Sequence, residues 1–207
     1  MGRLTAPGGL PSPGVPEQDR VMPVQPTDAL LRDLFETADA LPLSFEMFPP
    51  KSAESREVLM ETVRRLASAA TDGFSVTMGA GGSTRTGTHD TALAIREATG
   101  RPVTAHLTAL GLSREEVRQA AGRFRADGIT RILALRGDRP RAVQGPLPPG
   151  YAHAAELVAA LRSWHDFEVW VAAYPEKHPE AGTLDEDIDH LKEKLDSGTT
   201  RAVCQFV

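Results

Sequence analysis

The sequence has few of the features that mark secreted, membrane or nucleic-acid-binding proteins. Its single cysteine, Cys204, excludes an intramolecular disulfide and a cysteine-based zinc site, and indicates a reducing compartment. It contains no run of about 18 apolar residues, so no membrane-spanning segment is expected. The 207 residues include 28 acidic and 23 basic ones, for a net charge of −5. This balance argues against a nucleic-acid-binding surface, which needs a basic excess.

The first 26 residues also lack the apolar core of a signal peptide, and Ala6 stands where a myristoylation signal needs a hydroxyl. Proline and glycine dominate this segment instead. That composition predicts a disordered extension over 1–26, followed by a folded domain over 27–207. The spacing of leucines predicts a lead helix over 28–38 at the start of this domain.

From residue 43 onward, short β-type runs alternate with amphipathic helical stretches. The expected strands are 43–48, 74–78, 103–108, 131–136, 169–174 and 202–207. The expected helices are 57–70, 113–126, 151–164 and 184–195. The second of these helices opens with the capping box Ser113-Arg-Glu-Glu116. Strict alternation predicts parallel strands joined by right-handed crossovers.

Two α/β folds have this alternation of strands and helices, an open doubly wound sheet and a closed (β/α)8 TIM barrel. No Gly-x-Gly-x-x-Gly follows the first strand, which disfavours a dinucleotide-binding sheet. Polar residues end nearly every expected strand, as at the active-site end of a barrel: Glu46, Thr77, His106, Arg136, Asp138, Glu176, His178 and Gln205. The strands start about 32 residues apart, so eight units need about 250 residues. We therefore expect an incomplete barrel of about six strands and their helices.

Glu46 is the first candidate for chemistry. Period-two alternation places Ser44, Glu46 and Phe48 on one face of the first strand, which Pro49 and Pro50 end. A carboxyl group between aromatic neighbours is poorly solvated, which raises its pKa and suits it to donate a proton near neutral pH. A structural pairing of Glu46 with an arginine or lysine is the alternative.

Two loops that contain glycine are candidate ligand sites. The segment Thr77-Met-Gly-Ala-Gly-Gly-Ser-Thr-Arg85 lets backbone amides approach a ligand closely, although it also fits a plain flexible loop. In Leu135-Arg-Gly-Asp-Arg-Pro140, Gly137 permits close approach of a planar ligand. Arg136 can neutralise a pyrophosphate there, and Asp138 can accept hydrogen bonds from a heterocycle. A local ion pair is the alternative.

Two further segments contain histidines that are candidate ligands. In Tyr174-Pro-Glu-Lys-His-Pro-Glu180, His178 lies between Glu176 and Glu180. The intervening prolines splay these side chains, so no metal site is expected. His106 on its own is more typical of a hydrogen-bonded interior histidine than of a ligand.

Taken in order, these segments closely resemble the methylenetetrahydrofolate reductase family. The resemblance covers about residues 30–207 and is carried by these segments: Ser44-Phe-Glu-Met-Phe-Pro-Pro-Lys51, Val76-Thr-Met-Gly-Ala-Gly-Gly-Ser-Thr-Arg85, His106-Leu-Thr108, Leu135-Arg-Gly-Asp138, Tyr174-Pro-Glu-Lys-His-Pro-Glu180, Leu191-Lys-Glu-Lys-Leu-Asp-Ser-Gly198 and Gln205-Phe206. It implies a TIM barrel that binds FAD. It also implies reduction of 5,10-methylenetetrahydrofolate to 5-methyltetrahydrofolate with NAD(P)H, in one-carbon and methionine metabolism. A cytoplasmic homo-oligomer is implied as well.

The resemblance also implies roles for single residues. Glu46 matches the general acid that protonates the folate and opens its five-membered ring, and Asp138 matches a carboxylate near the flavin and pterin rings. Gln205 matches a contact to substrate and nicotinamide, and Thr77 a contact to the nicotinamide nucleotide. The implied cofactor-binding set is Thr77, Met78, Ala80, His106, Arg136, Gly137, Asp138, Ala154, Tyr174, His178, Asp187, His190 and Lys194. The last three fall at i, i+3 and i+7, on one helix face.

Three functions stay open at this point. The first is the flavin-dependent reductase, with a longer full gene product. The second is a non-catalytic fragment that keeps part of the FAD site. The third is an interaction module that pairs its open barrel edge with a partner chain. Because two barrel units are expected to be missing, we expect the 207-residue chain alone to turn over poorly.

Overall fold

The structure, a computed structural model, describes residues 42–69, 72–79, 85–138 and 150–205. All of them fall in the unit that spans residues 40–207. Several expectations lie outside the described residues. These are the extension over 1–26, the lead helix over 28–38, Ala80 with most of its glycine-rich loop, and residues 206–207 of the last expected strand.

Strands and helices alternate throughout the described residues. The strands are Ser44–Met47 (β1), Gly73–Val76 (β2), Val103–Thr108 (β3), Arg131–Leu135 (β4), Glu168–Ala173 (β5) and Arg201–Cys204 (β6). The helices are Ala53–Leu66 (α1), Arg85–Thr99 (α2), Arg114–Ala126 (α3), Ala154–Trp164 (α4) and Leu184–Asp196 (α5). None of these helices is long and apolar enough to cross a membrane.

The strands form one sheet in the order β1-β2-β3-β4-β5-β6, and each strand is parallel to its neighbours. The strand order runs in one direction without the reversal that defines a doubly wound sheet. The structure therefore confirms the expected fold, an incomplete (β/α)8 barrel. Since all strands are parallel, their C-terminal ends share one edge.

The two faces of the sheet differ in chemistry, as β3 shows most clearly. Val103, Ala105 and Leu107 join the buried hydrophobic cluster that the strands form with the helices. Thr104, His106 and Thr108 alternate with them on the other face and are also buried. Polar side chains thus line the inner face of the curved sheet.

Helix α1 begins four residues before the expected start. Its first turn is closed by a capping box in which the Ser55 amide donates to Ser52 Oγ over 3.2 Å and the Ser52 amide donates to Ser55 Oγ over 2.9 Å. The usual capping-box signature has glutamate or glutamine at the position of Ser55, so the sequence pattern did not reveal the start of this helix. On the expected apolar stripe, Val63 is buried, but Val58 is exposed, contrary to expectation.

Helix α2 was not predicted, because threonines occupy part of its buried face. Thr88, Thr91, Ala92 and Ile95 are all buried and recur at i, i+3, i+4 and i+7, the spacing of a core-facing stripe. The Thr88 hydroxyl donates to the Thr77 carbonyl over 2.8 Å. This hydrogen bond ties the helix to the end of β2.

Large apolar side chains are exposed near both edge strands. On α5, which leads into β6, Leu184, Ile188 and Leu195 are each about half exposed. Phe48, directly after β1, is 69% exposed, and Val58 lies on the neighbouring helix. Within the described residues, both edges of the sheet therefore present uncovered apolar surface.

The N-terminal end of the inner face is held by a charged cluster. Arg131 donates to Glu168 Oε2 over 2.8 Å and lies 3.6 Å from Asp72 Oδ1, while Arg201 reaches Asp72 Oδ2 at 2.6 Å. Trp170 packs between the two guanidinium groups. Burial raises the pKa of Glu168, but hydrogen bonds from Trp170 and Arg131, with the charges of Arg131 and Arg201, bring it below its ordinary value. This cluster joins the start of β2 to β4, β5 and β6.

Replacing Arg131 by methionine is expected to lower the free energy of unfolding by about 1–3 kcal/mol, because Asp72 and Glu168 lose a charged hydrogen-bond donor. Thermal and urea unfolding of the two proteins measure the difference. The matched control Arg118→Met, at an exposed position on α3, should change stability by no more than about 0.5 kcal/mol. Equal stability of Arg131→Met and the control would contradict the role of the cluster.

Candidate active site

A cavity of about 450 Å³ opens at the C-terminal ends of the strands, from β2 to β6. This volume is typical of small-molecule sites. Eleven of the residues predicted from sequence line it: Met78, Arg136, Gly137, Asp138, Ala154, Tyr174, His178, Asp187, His190, Lys194 and Gln205. They come from four strand ends and two helices, so only the folded chain brings them together.

Gly137 is fixed as glycine by two features of the cavity wall. Its φ is +84°, in the region that disfavours side chains. A Cβ atom at this position would lie 2.9 Å from Thr108 Cβ, which is closer than real contacts allow. Gly137 therefore packs directly against Thr108, and its backbone lines the cavity without a side chain.

Helix α5 presents one polar face to the cavity, as its i, i+3, i+7 spacing predicts. Lys194 Nζ donates to the Ala172 carbonyl over 2.7 Å, and burial lowers the pKa of Lys194 against the opposing effect of Asp187. The buried Asp187 accepts a hydrogen bond of 3.0 Å from the His178 amide. The ring of His190 lies 6.0 Å from that of His153. This face holds a cation and positions the loop after β5.

Arg136 supplies a second cation, and its partner differs from the one expected. Its Nη2 lies 2.7 Å from Glu180 Oε2, so the local ion pair joins two loops rather than Arg136 and Asp138. The hydrogen bond from Arg136 and its charge lower the pKa of Glu180. Tyr174 packs edge-on against His178, with ring centroids 4.7 Å apart. Burial, together with the charge of Asp138, raises the pKa of Tyr174.

Glu46 and His106 meet beside this cavity. Glu46 Oε2 lies 3.5 Å from His106 Nε2, with the histidine side chain 9% and the glutamate side chain 51% exposed. Burial lowers the pKa of His106 to about 4, so its imidazole is neutral near pH 7. Burial also raises the pKa of Glu46. A carboxyl group that holds its proton longer than usual is suited to general acid chemistry.

The surroundings of Glu46 differ from those inferred from the sequence. Phe45 points to the opposite face, where its ring centroid is 6.1 Å from that of Phe74, and Phe48 is mostly exposed. The aromatic neighbours therefore do not enclose the carboxyl group. Its neighbour within the described residues is a neutral histidine, not the arginine or lysine of the alternative.

The structure divides the predicted site into two adjoining parts. Glu46 lines a separate groove with Pro49, Lys51 and Val58, and does not line the cavity that holds Asp138. Strand β3 links the two parts, because His106 contacts Glu46 and Thr108, two residues on and on the same face, lines the cavity.

Thr77 lies at the end of the neighbouring strand β2. Its amide donates to the Met47 carbonyl over 3.0 Å, and its own carbonyl accepts from Thr88. The backbone of Thr77 is therefore held from both sides.

Four polar residues line the cavity without a predicted binding role: Thr108, His153, Glu180 and Glu193. Thr108 belongs to a segment that carried the family resemblance, so a signal for it existed. For Glu180 the sequence suggests only a metal-ligand role. Across the parts of the chain that the structure describes, no three His, Cys, Asp or Glu side chains converge to hold a metal ion.

Comparison with known proteins relates the chain to one family. A model of the family described as methylenetetrahydrofolate reductase matches residues 30–207. The 5,10-methylenetetrahydrofolate reductase of Pectobacterium carotovorum subsp. carotovorum is 41% identical over 179 residues, and that of Escherichia coli (strain K12) is 39% identical over 183 residues. Both alignments cover 86% of this chain and 59% of the relative.

A plant relative and solved structures extend the comparison. Methylenetetrahydrofolate reductase (NADH) 1 of Arabidopsis thaliana is 35% identical over 180 residues, which cover 79% of this chain and 30% of that protein. The structure of a 2,3-dimethylmalate lyase matches with a TM-score of 0.56 at 15% identity, over 89% of this chain and 64% of the other. A CutC protein from Streptococcus agalactiae matches with a TM-score of 0.54 at 15% identity, over 85% of this chain and 77% of the other. These two likenesses show the fold alone.

The neutral, buried His106 makes stability depend on pH. Between its unfolded pKa of about 6.5 and its folded pKa of about 4, the unfolded state binds more protons. Acidification from pH 6.5 to pH 4 should therefore cost roughly 3 kcal/mol of stability at this residue. Urea unfolding across this range should show a shallower pH slope in His106→Asn than in the wild type. Identical slopes would contradict a buried neutral imidazole.

Proposed function

This chain belongs to the methylenetetrahydrofolate reductase family, and we propose that it carries the flavin site and general acid of a reductase. The proposed reaction converts 5,10-methylenetetrahydrofolate to 5-methyltetrahydrofolate, with FAD as cofactor and NAD(P)H as electron donor. The chain spans 59% of the length of its bacterial relatives, so the activity of the whole protein belongs to the proposal. The observation that carries it is the cavity with Gly137 at its wall, next to the Glu46–His106 contact.

The cavity fits FAD in the kinds of group that it offers. Lys194 and Arg136 are the cations that would hold the diphosphate, and Arg136 would exchange part of its contact with the exposed Glu180 for it. The backbone of Gly137, which lines the cavity without a side chain, is the surface against which the flat ring system would lie. FAD, when bound, supplies hydride transfer from NAD(P)H to the folate.

The chain supplies the proton. Glu46 donates it to the folate nitrogen, which opens the five-membered ring and makes its one-carbon unit a hydride acceptor. The raised pKa of Glu46 keeps the proton available nearer neutral pH than an ordinary glutamate would. His106, neutral at that pH, lies close enough to orient the carboxyl group without stripping its proton through a positive charge.

Three further residues orient the ligands. Asp138 lies at the cavity mouth, where its carboxylate can accept hydrogen bonds from the pterin and bias the flavin electronically. The backbone amide of Gln205 donates a 2.9 Å hydrogen bond to the Ala173 carbonyl. Its side-chain amide donates a longer one, of 3.4 Å, to the Val203 carbonyl. That side chain is therefore free to turn toward substrate and nicotinamide. Thr77, held from both sides, supplies the nicotinamide-nucleotide contact.

The proposal includes a cytoplasmic homo-oligomer. The exposed apolar side chains of α5, Leu184, Ile188 and Leu195, support association with a second copy. The same surface favours the alternative of an interaction module that binds through its sheet edge and no longer turns over folate. Flavin binding separates the two functions, because an interaction module does not require it.

FAD binding by a Lys194→Met variant tests the flavin site. The purified chain should bind FAD, with the flavin absorbance band near 450 nm and quenched fluorescence on titration. Lys194→Met should weaken FAD binding about 10-fold or more, since a charge-assisted contact to the diphosphate is lost. Lys192→Met is the matched control, because Lys192 is two residues away, exposed and paired with Asp196.

The control should bind FAD as tightly as the wild type. If both lysine variants bind FAD equally well, the diphosphate does not lie against α5. If the unchanged chain binds no FAD, the reductase proposal fails and the interaction module is favoured.

Glu46→Gln tests the general acid. In stopped-flow half-reactions of the FAD-loaded chain, reduction of the flavin by NADH or NADPH should stay within about twofold of wild type. Reoxidation of the reduced flavin by methylenetetrahydrofolate should slow by about 100-fold or more, because the proton donor is gone. Glu57→Gln, at an exposed position on α1, is the control. Wild-type reoxidation in Glu46→Gln would show that another group donates the proton.

A further inference from the structure

Thr108 carries the buried side-chain polar atom that is left without a hydrogen-bond partner in the described part of the chain. The residue is 3% exposed, and its hydroxyl oxygen contacts no donor or acceptor. Buried hydroxyl groups are normally paired, because an unpaired one loses its bonds to water without replacement. A valine would fill the same volume without this cost, so the hydroxyl calls for an explanation.

The position of Thr108 is rigid and faces the proposed cofactor cavity. Thr108 is the last residue of β3 and lies on the inner face with His106. Its amide contacts Met78 Sδ at 3.5 Å, and its Cβ packs under the bare backbone of Gly137. A β-branched side chain held on two sides has little rotamer freedom. Thr108 is therefore held in place beside Gly137, and both residues line the cavity.

We propose that Thr108 is a further ligand-binding residue, whose hydroxyl forms a hydrogen bond with a polar atom of the flavin ring system at Gly137. This inference rests on the proposed function and adds to it a contact that selects a heterocycle with ring nitrogen or carbonyl groups. A hydroxyl can donate or accept, so it can pair with either kind of group. The unpaired atom of the free protein becomes paired on binding.

The proposal predicts that Thr108→Val does not lower the stability of the ligand-free chain but weakens its binding of FAD. Thr108→Val keeps the shape and removes the hydroxyl. In the ligand-free chain it should leave the melting temperature unchanged or raise it, because an unpaired buried group is lost. In the same variant the dissociation constant for FAD should rise about 5- to 10-fold, since one hydrogen bond to the ring is missing. Thr108→Ser, which keeps the hydroxyl, should bind FAD within about threefold of wild type.

Thr88→Val provides the matched control for stability. Its hydroxyl is equally buried but donates to the Thr77 carbonyl over 2.8 Å. Removal of this group should lower the melting temperature of the ligand-free chain, in contrast to Thr108→Val. Differential scanning calorimetry of the ligand-free variants and fluorescence titration with FAD give the two readouts independently of turnover.

Each outcome decides the inference. FAD binding by Thr108→Val at wild-type strength overturns it while the flavin site stands, provided that the wild type binds FAD. A melting temperature of Thr108→Val that falls as far as that of Thr88→Val also overturns it, because the hydroxyl then has a structural partner. If the wild type does not bind FAD, the proposed function fails and the inference fails with it.

Discussion

The whole site depends on one constraint, the parallel and sequential pairing of the strands. A helix follows each of the first five strands and returns the chain to the same starting edge, so the parallel strands all end at the other edge. Residues more than 100 positions apart, such as Met78 and Lys194, thereby line one cavity. The charged cluster around Arg131 stabilises the opposite end, which leaves the C-terminal end free for chemistry.

Burial of polar groups on the inner face gives the site its chemical character. The same desolvation lowers the pKa of His106 and raises that of Glu46, so a neutral imidazole lies beside a carboxyl group that holds its proton more tightly than an ordinary glutamate. In water these two groups would be far closer to an ordinary ion pair. These pKa shifts suit the proposed transfer of a proton from Glu46, and the shift of His106 lowers stability in acid.

Much of the fold and of the cavity could be predicted from sequence, because both follow from strand ends. Hydrophobic runs located the six strands of the described residues, and predicted residues after β2, β4, β5 and β6 line the cavity. The predicted cavity residues on α4 and α5 were implied by the family resemblance. Helix α2 was not predicted because Thr88 and Thr91 occupy its buried stripe, and the hydrophobic pattern counts threonine as polar. The ion pair of Arg136 with Glu180 was not predicted because it joins two loops that only the tertiary structure brings together. The unpaired hydroxyl of Thr108 is likewise a property of the packed state alone.

A crystal structure of the chain grown with FAD tests the central claim most directly, namely that the cavity at the ends of β2 to β6 is the flavin site. The account predicts electron density for the flavin ring against the backbone of Gly137, with the diphosphate toward Lys194. Flavin density elsewhere on the chain, with this cavity filled only by solvent, would contradict it.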